Sequence, residues 1–125
     1  MKIVVDAIAF REHRYASAGD WFITEPNIWR IKVAAELSDK HQFLVALHEL
    51  IEMALCLEHG ITATQVDAFD IGWVAHDGIS EPGDDPKAPY YREHQTASAM
   101  ERFMAVQLGV DWGEYGRCVD KLSEQ

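Results

Sequence analysis

The feature that most constrains the fold is a long stretch of helical periodicity. It begins at Ser38 or Asp39, residue types that cap a helix N-terminus, and it ends before Gly60, the residue type that commonly follows a last turn. Apolar residues recur along it every three or four positions. The predicted core-facing stripe comprises Phe43, Leu44, Leu47, Leu50, Ile51, Ala54 and Leu55. The sequence therefore predicts a single long amphipathic helix.

Polar side chains form a second stripe beside this apolar face. At about 100° per residue, His41, His48, Glu52 and His59 fall along one edge of the helix. His48 and Glu52 are one turn apart, with Glu49 beside them, so this edge can offer two metal ligands and a nearby carboxylate to one water molecule. We interpret His41 as a surface residue in the first turn. We interpret His59 as a residue that interacts favourably with the helix dipole near the C-terminus of the helix.

Strand-like segments precede the helix. Ile3–Phe10 is rich in β-branched residues. The turn signal Ala18-Gly19-Asp20 suggests a hairpin between Arg14–Ser17 and Trp21–Thr24. After a break at Pro26-Asn27, the chain alternates apolar and basic residues along residues 28–34, which predicts a half-exposed antiparallel strand at a sheet edge.

The second half of the chain reads as helical apart from one loop. The predicted elements are a helix from Thr62 or Ala63 to about Ala75 with a Thr62–Gln65 capping box, a surface loop over Asp77–Pro89, a helix from near Pro89 to Leu108, and a short helix from Trp112 to about Leu122. We therefore predict one α+β domain over residues 1–125, in which three or four helices pack on a small antiparallel sheet of three to four strands.

A third metal ligand should come from the helix that follows the acidic loop. His94 is the first candidate, and Glu101, on the same face, is either an alternative ligand or a partner that orients His94. Small residues on this face (Ala97, Ser98 and Ala105) would allow it to approach another helix closely. Glu93 has suitable chemistry but faces another way.

Composition narrows the classes of partner. Eleven basic against 21 acidic residues give a formal charge of −10, so the surface repels nucleic-acid phosphates, and we expect no nucleic-acid partner. Apolar runs are too short for a bilayer, and Asp6 follows Met1–Val5 at once, so we expect neither a membrane partner nor a signal peptide. Cys56 and Cys118 form no close-spaced pair, which together with the rest predicts a cytoplasmic protein with buried thiols.

His48-Glu49-Leu50-Ile51-Glu52 resembles the HExxH motif of the zincin metallopeptidases, with glutamate in place of the second histidine. The order of elements over about residues 20–108 is also similar to that of minimal zincins. This resemblance implies Zn²⁺, or another divalent transition metal, held by His48, Glu52 and His94 or Glu101. It further implies that Glu49 is the general base, that Tyr91 or Tyr90 donates to an oxyanion, and that a peptide or protein substrate lies along residues 28–34.

Two alternatives compete with a peptide hydrolase. In size and make-up the chain is similar to small phage- or prophage-encoded proteins, which implies a non-enzymatic structural or regulatory interaction protein with a degenerate metal site. The pair His76-Asp77 resembles the dyad of HD-domain phosphohydrolases. Those dyads lie inside helices, however, whereas Asp77-Gly78 predicts a turn.

Overall fold

The computed structural model describes residues 1–124 and confirms the predicted α+β class. Its strands are β1 (Lys2–Ile8), β2 (Gly19–Glu25) and β3 (Ile28–Ala34), and its helices are α1 (Asp39–Glu58), α2 (Ala63–Asp70), α3 (Tyr91–Gln107) and α4 (Trp112–Lys121). Short 3₁₀ turns lie at Phe10–Glu12, Pro82–Asp84 and Leu122–Glu124. Within residues 1–124, no helix combines the length and the apolarity of a membrane span.

The three strands form a mixed sheet in the order β1-β3-β2. β3 pairs in parallel with β1 and antiparallel with β2. The expectation that residues 28–34 form an antiparallel strand at the sheet edge is therefore wrong, because β3 is the central strand. Its alternation correctly placed Ile31 and Val33 in the core, although Ala34 is buried as well and Trp29 only half-buried. Alternation indicates which face of a strand is buried, but it does not indicate whether other strands pair with it on one side or on both.

The hairpin lies at Pro26-Asn27, between β2 and β3. Asn27 has a φ of 65°, and proline followed by a residue with positive φ is typical of a type II turn. The predicted hairpin around Ala18-Gly19-Asp20 is wrong, because residues 14–17 form no strand. Arg14 instead forms ion pairs with Asp20 and Asp67, and these contacts join the segment before β2 to α2.

α1 begins as predicted, since the Ser38 side chain accepts a hydrogen bond from the backbone N–H of His41. Its rotation differs from the prediction. The buried residues of α1 are Leu44, Val45, His48, Glu52, Met53 and Cys56. Most of the predicted apolar stripe is only half-buried, and Phe43 is 49% exposed. α1 packs against α3 as well as against β2 and β3, so the middle of the polar stripe, His48 and Glu52, faces the interior of the protein.

The other helices match their predicted positions, with one shortened. Thr62 and Gln65 form the predicted capping box, but α2 ends at Asp70 instead of near Ala75, and Gly72 follows with a φ of 85°. Asp77 and Gly78 both have positive φ in a tight turn that is closed by backbone hydrogen bonds between His76 and Ile79. The remainder of the predicted loop contains the Pro82–Asp84 turn, which contacts α3.

The start of β2 approaches α1 so closely that only glycine fits at position 19. A Cβ atom there would lie 2.6 Å from Val45 Cγ1 and 2.7 Å from Glu49 Cγ and Oε1. We predict that Gly19→Ala lowers the free energy of unfolding by about 1–3 kcal/mol, the usual cost of overpacking. Gly116→Ala is the matched control, because nothing lies within 4 Å of a Cβ atom at that position of α4. Helix propensity there should raise stability by about 0.5–1 kcal/mol. Equal effects of the two changes in urea melts would contradict this account.

Candidate functional site

Three potential ligand atoms converge between α1 and α3. His48 Nε2 lies 3.1 Å from Glu52 Oε2 and 3.2 Å from His94 Nδ1, and His94 Nδ1 lies 2.9 Å from Glu52 Oε2. All three residues are buried, with 5–8% of each exposed. The structure therefore brings together the three side chains that the sequence ranked first as ligands.

His48 Nε2, Glu52 Oε2 and His94 Nδ1 form a triangle whose size suits a small metal ion. Ligand atoms at about 2.0–2.1 Å from a tetrahedral zinc are separated from one another by roughly 3.3 Å. The observed sides of 2.9–3.2 Å are slightly shorter. Ala97 and Ala105 on α3 are fully or almost fully buried, and such small side chains permit close approach of the two helices. The chemistry and the spacing of the three groups therefore fit a divalent metal.

The pKa values of the three groups are shifted so that their charges stabilise one another. Burial opposes charge on both imidazoles, but the carboxylates beside them outweigh it. They raise the pKa of His48 to about 10 and the pKa of His94 to about 12. Burial likewise opposes charge on Glu52, yet the two histidines lower its pKa to about 2. A carboxylate between two imidazolium groups is thus a cluster whose protons a metal cation would displace.

Glu101 is positioned by the outer nitrogen of His48 and stands outside the triangle. Its Oε1 accepts a hydrogen bond of 2.8 Å from His48 Nδ1, and its Oε2 accepts one of 2.6 Å from the Tyr115 hydroxyl. This contact fixes the His48 ring with Nε2 directed at Glu52. Sequence reasoning had paired Glu101 with His94, and the structure corrects that pairing. Tyr115 carried no sequence signal, since its role depends on where α4 packs.

The Pro82–Asp84 turn encloses His94. A Cβ atom at Gly83 would lie 2.3 Å from His94 Nδ1, so the glycine backbone contacts the imidazole ring directly. On the far side of the ring, Nε2 lies 3.2 Å from Asp84 Oδ1 and 3.6 Å from Glu81 Oε2. The acidic loop predicted from composition therefore forms part of the site wall.

Glu49 lies beside the triangle without belonging to it. Its carboxyl group is next to Gly19 at the start of β2. Desolvation raises its pKa well above the ordinary value, and the charge of Glu52 raises it further. A desolvated carboxyl group with a raised pKa, beside a candidate metal site, is a candidate for a general base.

A cavity of about 560 Å³ opens onto His48, Glu49, Glu52 and His94. Among the residues that the structure describes, its wall contains no lysine or arginine. Its nine acidic lining residues are Asp20, Glu49, Glu52, Asp67, Asp70, Glu81, Asp84, Glu101 and Asp120. Trp21 also lines it and donates a 3.0 Å hydrogen bond from Nε1 to Glu52 Oε1, which leaves Oε2 directed at the two histidines.

The adjacent tyrosines at the start of α3 differ in their surroundings. Tyr90 lines the cavity and donates its hydroxyl proton to Asp70. Tyr91, the residue predicted to stabilise an oxyanion, is not among the lining residues and packs half-buried against the hydrophobic core. Of the two, Tyr90 is therefore the one whose side chain reaches the cavity.

The remaining histidines of the polar stripe do not join the triangle. The His41 ring stacks near Tyr115, and the exposed His59 forms a 2.6 Å contact with Glu93. His76 contacts Asp77 and Asp85 in the loop, each at 3.1 Å. Because His76-Asp77 lies in a turn and outside the cavity lining, the geometry gives an HD-type dyad no support.

No known protein family, curated protein or solved structure matches this chain.

Asp70 provides a test of the electrostatics of the cavity. Burial raises the pKa of Asp70 to about 6 from an ordinary value of 3.8, although hydroxyl groups of Tyr90 and Tyr15 stabilise its charge. Because the folded pKa is raised, the folded state binds the proton more tightly than the unfolded state. Stability is therefore lost as pH rises from about 4 through about 6, and the loss is complete above that pH.

We predict that Asp70→Asn stabilises the protein at pH 8 and has little effect at pH 4. The gain should be about 1 kcal/mol, or roughly 3–5 °C in melting temperature, because partial solvent contact screens part of the effect. Glu25→Gln, an exposed change at the end of β2, is the charge-matched control. A stabilisation by Asp70→Asn that is the same at both pH values would rule out this origin.

Proposed function

We propose that this protein binds one divalent transition metal through His48, Glu52 and His94 and is a metal-dependent hydrolase of peptide bonds. The observation that carries the proposal is the convergence of two imidazole nitrogens and one carboxylate oxygen to within 2.9–3.2 Å of one another. Three protein ligands beside an open cavity are the arrangement of a catalytic metal site, whereas structural sites are closed by a fourth protein ligand.

The ligand chemistry favours zinc over a dedicated site for Mg²⁺ or Ca²⁺. Two imidazoles and one carboxylate also suit iron(II) and manganese(II), so the cofactor is proposed as Zn²⁺ or another divalent transition metal. Such a metal, when bound, polarises a carbonyl group and lowers the pKa of water.

In this proposal the chain supplies the proton transfers and the positioning. Glu49 accepts a proton from the attacking water and passes it to the leaving amine. Trp21 and Glu101 keep Glu52 and the His48 ring in place through hydrogen bonds. Because β3 is central in the sheet, a substrate cannot be added as a strand along residues 28–34, and the proposal places it in the cavity instead.

The metal site predicts which histidines are needed. Protein reconstituted with Zn²⁺ and desalted should retain one ion per chain, and His48→Ala or His94→Ala should remove it, because two ligands hold the ion far more weakly than three. His59→Ala is the matched control, since His59 lies on the same stripe but contacts Glu93. The measurement is zinc content by emission spectrometry. Full zinc content in both site variants would refute the assignment.

Glu49 should be dispensable for the metal and essential for hydrolysis. We predict that Glu49→Gln keeps its zinc and loses about 10²–10⁴-fold in rate, the usual contribution of a general base. Zinc content and cleavage of a broad peptide library should be measured on the same preparations. Glu58→Gln, an exposed change at the end of α1, is the control and should leave the rate unchanged.

The same experiment separates the proposed hydrolase from the alternatives. If zinc-loaded wild type cleaves no peptide of the library, the hydrolase proposal fails and a non-enzymatic metal-binding interaction protein takes its place. If Glu49→Gln loses its zinc, Glu49 is a ligand and the assigned roles are wrong.

A further inference from the structure

The outer nitrogen of His94 is an unpartnered polar atom in the interior of the protein. His94 is 6% exposed, and its Nε2 makes no hydrogen bond within the part of the chain that the structure describes. The ring is nevertheless directed at two carboxylates, with Nε2 at 3.2 Å from Asp84 Oδ1 and 3.6 Å from Glu81 Oε2. A buried imidazole nitrogen without a hydrogen bond is costly and calls for a physical reason.

Each of the two proposed ligand histidines has a second ring nitrogen that points away from the triangle, and these two nitrogens differ in their hydrogen bonding. His48 Nδ1 makes a well-formed hydrogen bond of 2.8 Å to Glu101, the usual outer contact of a metal-bound histidine. The contacts of His94 Nε2 with Asp84 and Glu81 lack hydrogen-bond geometry. Hydrogen bonding requires an acceptor close to the N–H axis, whereas atoms that share a cation lie to the side of that axis.

The distances also fit shared coordination. Ligands bound at about 2.0–2.2 Å to one cation lie roughly 3.0–3.6 Å apart, depending on the coordination geometry. The nitrogen–oxygen distances of 3.2 and 3.6 Å fall in this range. The ligand atoms of Glu81, Asp84 and His94 all lie within 4.8 Å of one another.

We infer that Glu81, Asp84 and His94 Nε2 form a second divalent-cation site. It extends the proposed function, because it shares His94 with the first site, which uses Nδ1 of the same ring. As the cation binds, the proton on Nε2 leaves to solvent and a nitrogen–metal bond replaces it. One nitrogen and two carboxylate oxygens suit Zn²⁺ or Mn²⁺.

Neighbouring residues keep two ligands of this second site in position, and the site remains accessible to solvent. Asp84 Oδ1 accepts a 2.9 Å hydrogen bond from Gln95 Nε2, and the backbone of Gly83 rests on the His94 ring. The side chains of Glu81 and Asp84 are 51% and 43% exposed, so a hydrated cation can reach them. We expect weaker binding here than at the buried triangle, and retention only at equilibrium with free metal.

The test is the number of ions bound at equilibrium. Metal-free protein would be dialysed against Zn²⁺, and in a parallel series against Mn²⁺, and the ions bound per chain counted by emission spectrometry. For at least one of these metals, wild type should bind two ions and the Glu81→Gln/Asp84→Asn double variant one. Glu12→Gln/Glu25→Gln removes the same charge at exposed positions outside the cavity and should still bind two.

Two results would overturn the inference. One is an equal number of ions on wild type and the double variant in both series. The other is a single ion on wild type that the double variant binds more weakly, since Glu81 and Asp84 would then act only as outer partners of His94. His48→Ala distinguishes failure of this inference from failure of the proposed function, because His48 is a ligand of the buried triangle only. If both sites exist, the variant should bind one ion at equilibrium. If it still binds the ion of the buried triangle as tightly as wild type, that result counts against the first site alone.

Discussion

The contact on which the structure depends is Glu52 held between two histidines at the α1–α3 interface. Taking an isolated carboxylate or imidazolium out of water costs several kcal/mol per ion, so none of the three groups would be buried alone. Together they satisfy one another, and Trp21 and Glu101 bind the remaining polar atoms of Glu52 and His48. The consequence is a polar cluster where an ordinary two-layer domain has leucine. Removing one member leaves the others without partners in the interior, so these three positions matter to the fold as well as to the proposed chemistry.

This cluster also explains the rotation of α1. A helix covered by a sheet alone can keep its polar stripe at the edge, as the apolar periodicity predicted. α1 packs against α3 as well as against β2 and β3, so His48 and Glu52 become interior residues while Phe43 remains half exposed. The apolar pattern underestimated burial because it treats histidine and glutamate as surface residues. Histidine and glutamate become buried when residues on a second helix satisfy their polar atoms.

Local signals predicted the helices and the three candidate ligands, and long-range contacts account for most of what they missed. The Ser38 cap, the Thr62–Gln65 capping box and the i, i+4 pair His48–Glu52 depend on neighbours within one turn, so they could be found in the sequence. The parallel pairing of β1 with β3 and the partner of Glu101 depend on residues 26 or more positions apart, whereas the hairpin turn at Pro26-Asn27 is a local feature. His94 could be named because the small residues of α3 indicated a close helix partner. Tyr115, Trp21 and Asp84 had no comparable signal.

The two glycines that contact the site show how the backbone limits what the cluster can become. Gly19 lies against Glu49, and Gly83 lies against His94, each at distances that exclude a Cβ atom. One glycine comes from the start of β2 and the other from the acidic loop, so two separate elements that line the cavity bring their backbone directly onto the side chains proposed for chemistry. Close backbone contact restricts the rotation of both side chains, and restricted rotation is what a site needs if its groups are to hold their positions without a bound ligand. Rigidity at His94 has a further consequence. Since one ring nitrogen faces Glu52 and the other faces Asp84, a ring fixed by Gly83 presents both nitrogens in constant directions, and occupancy at one would alter the basicity of the other.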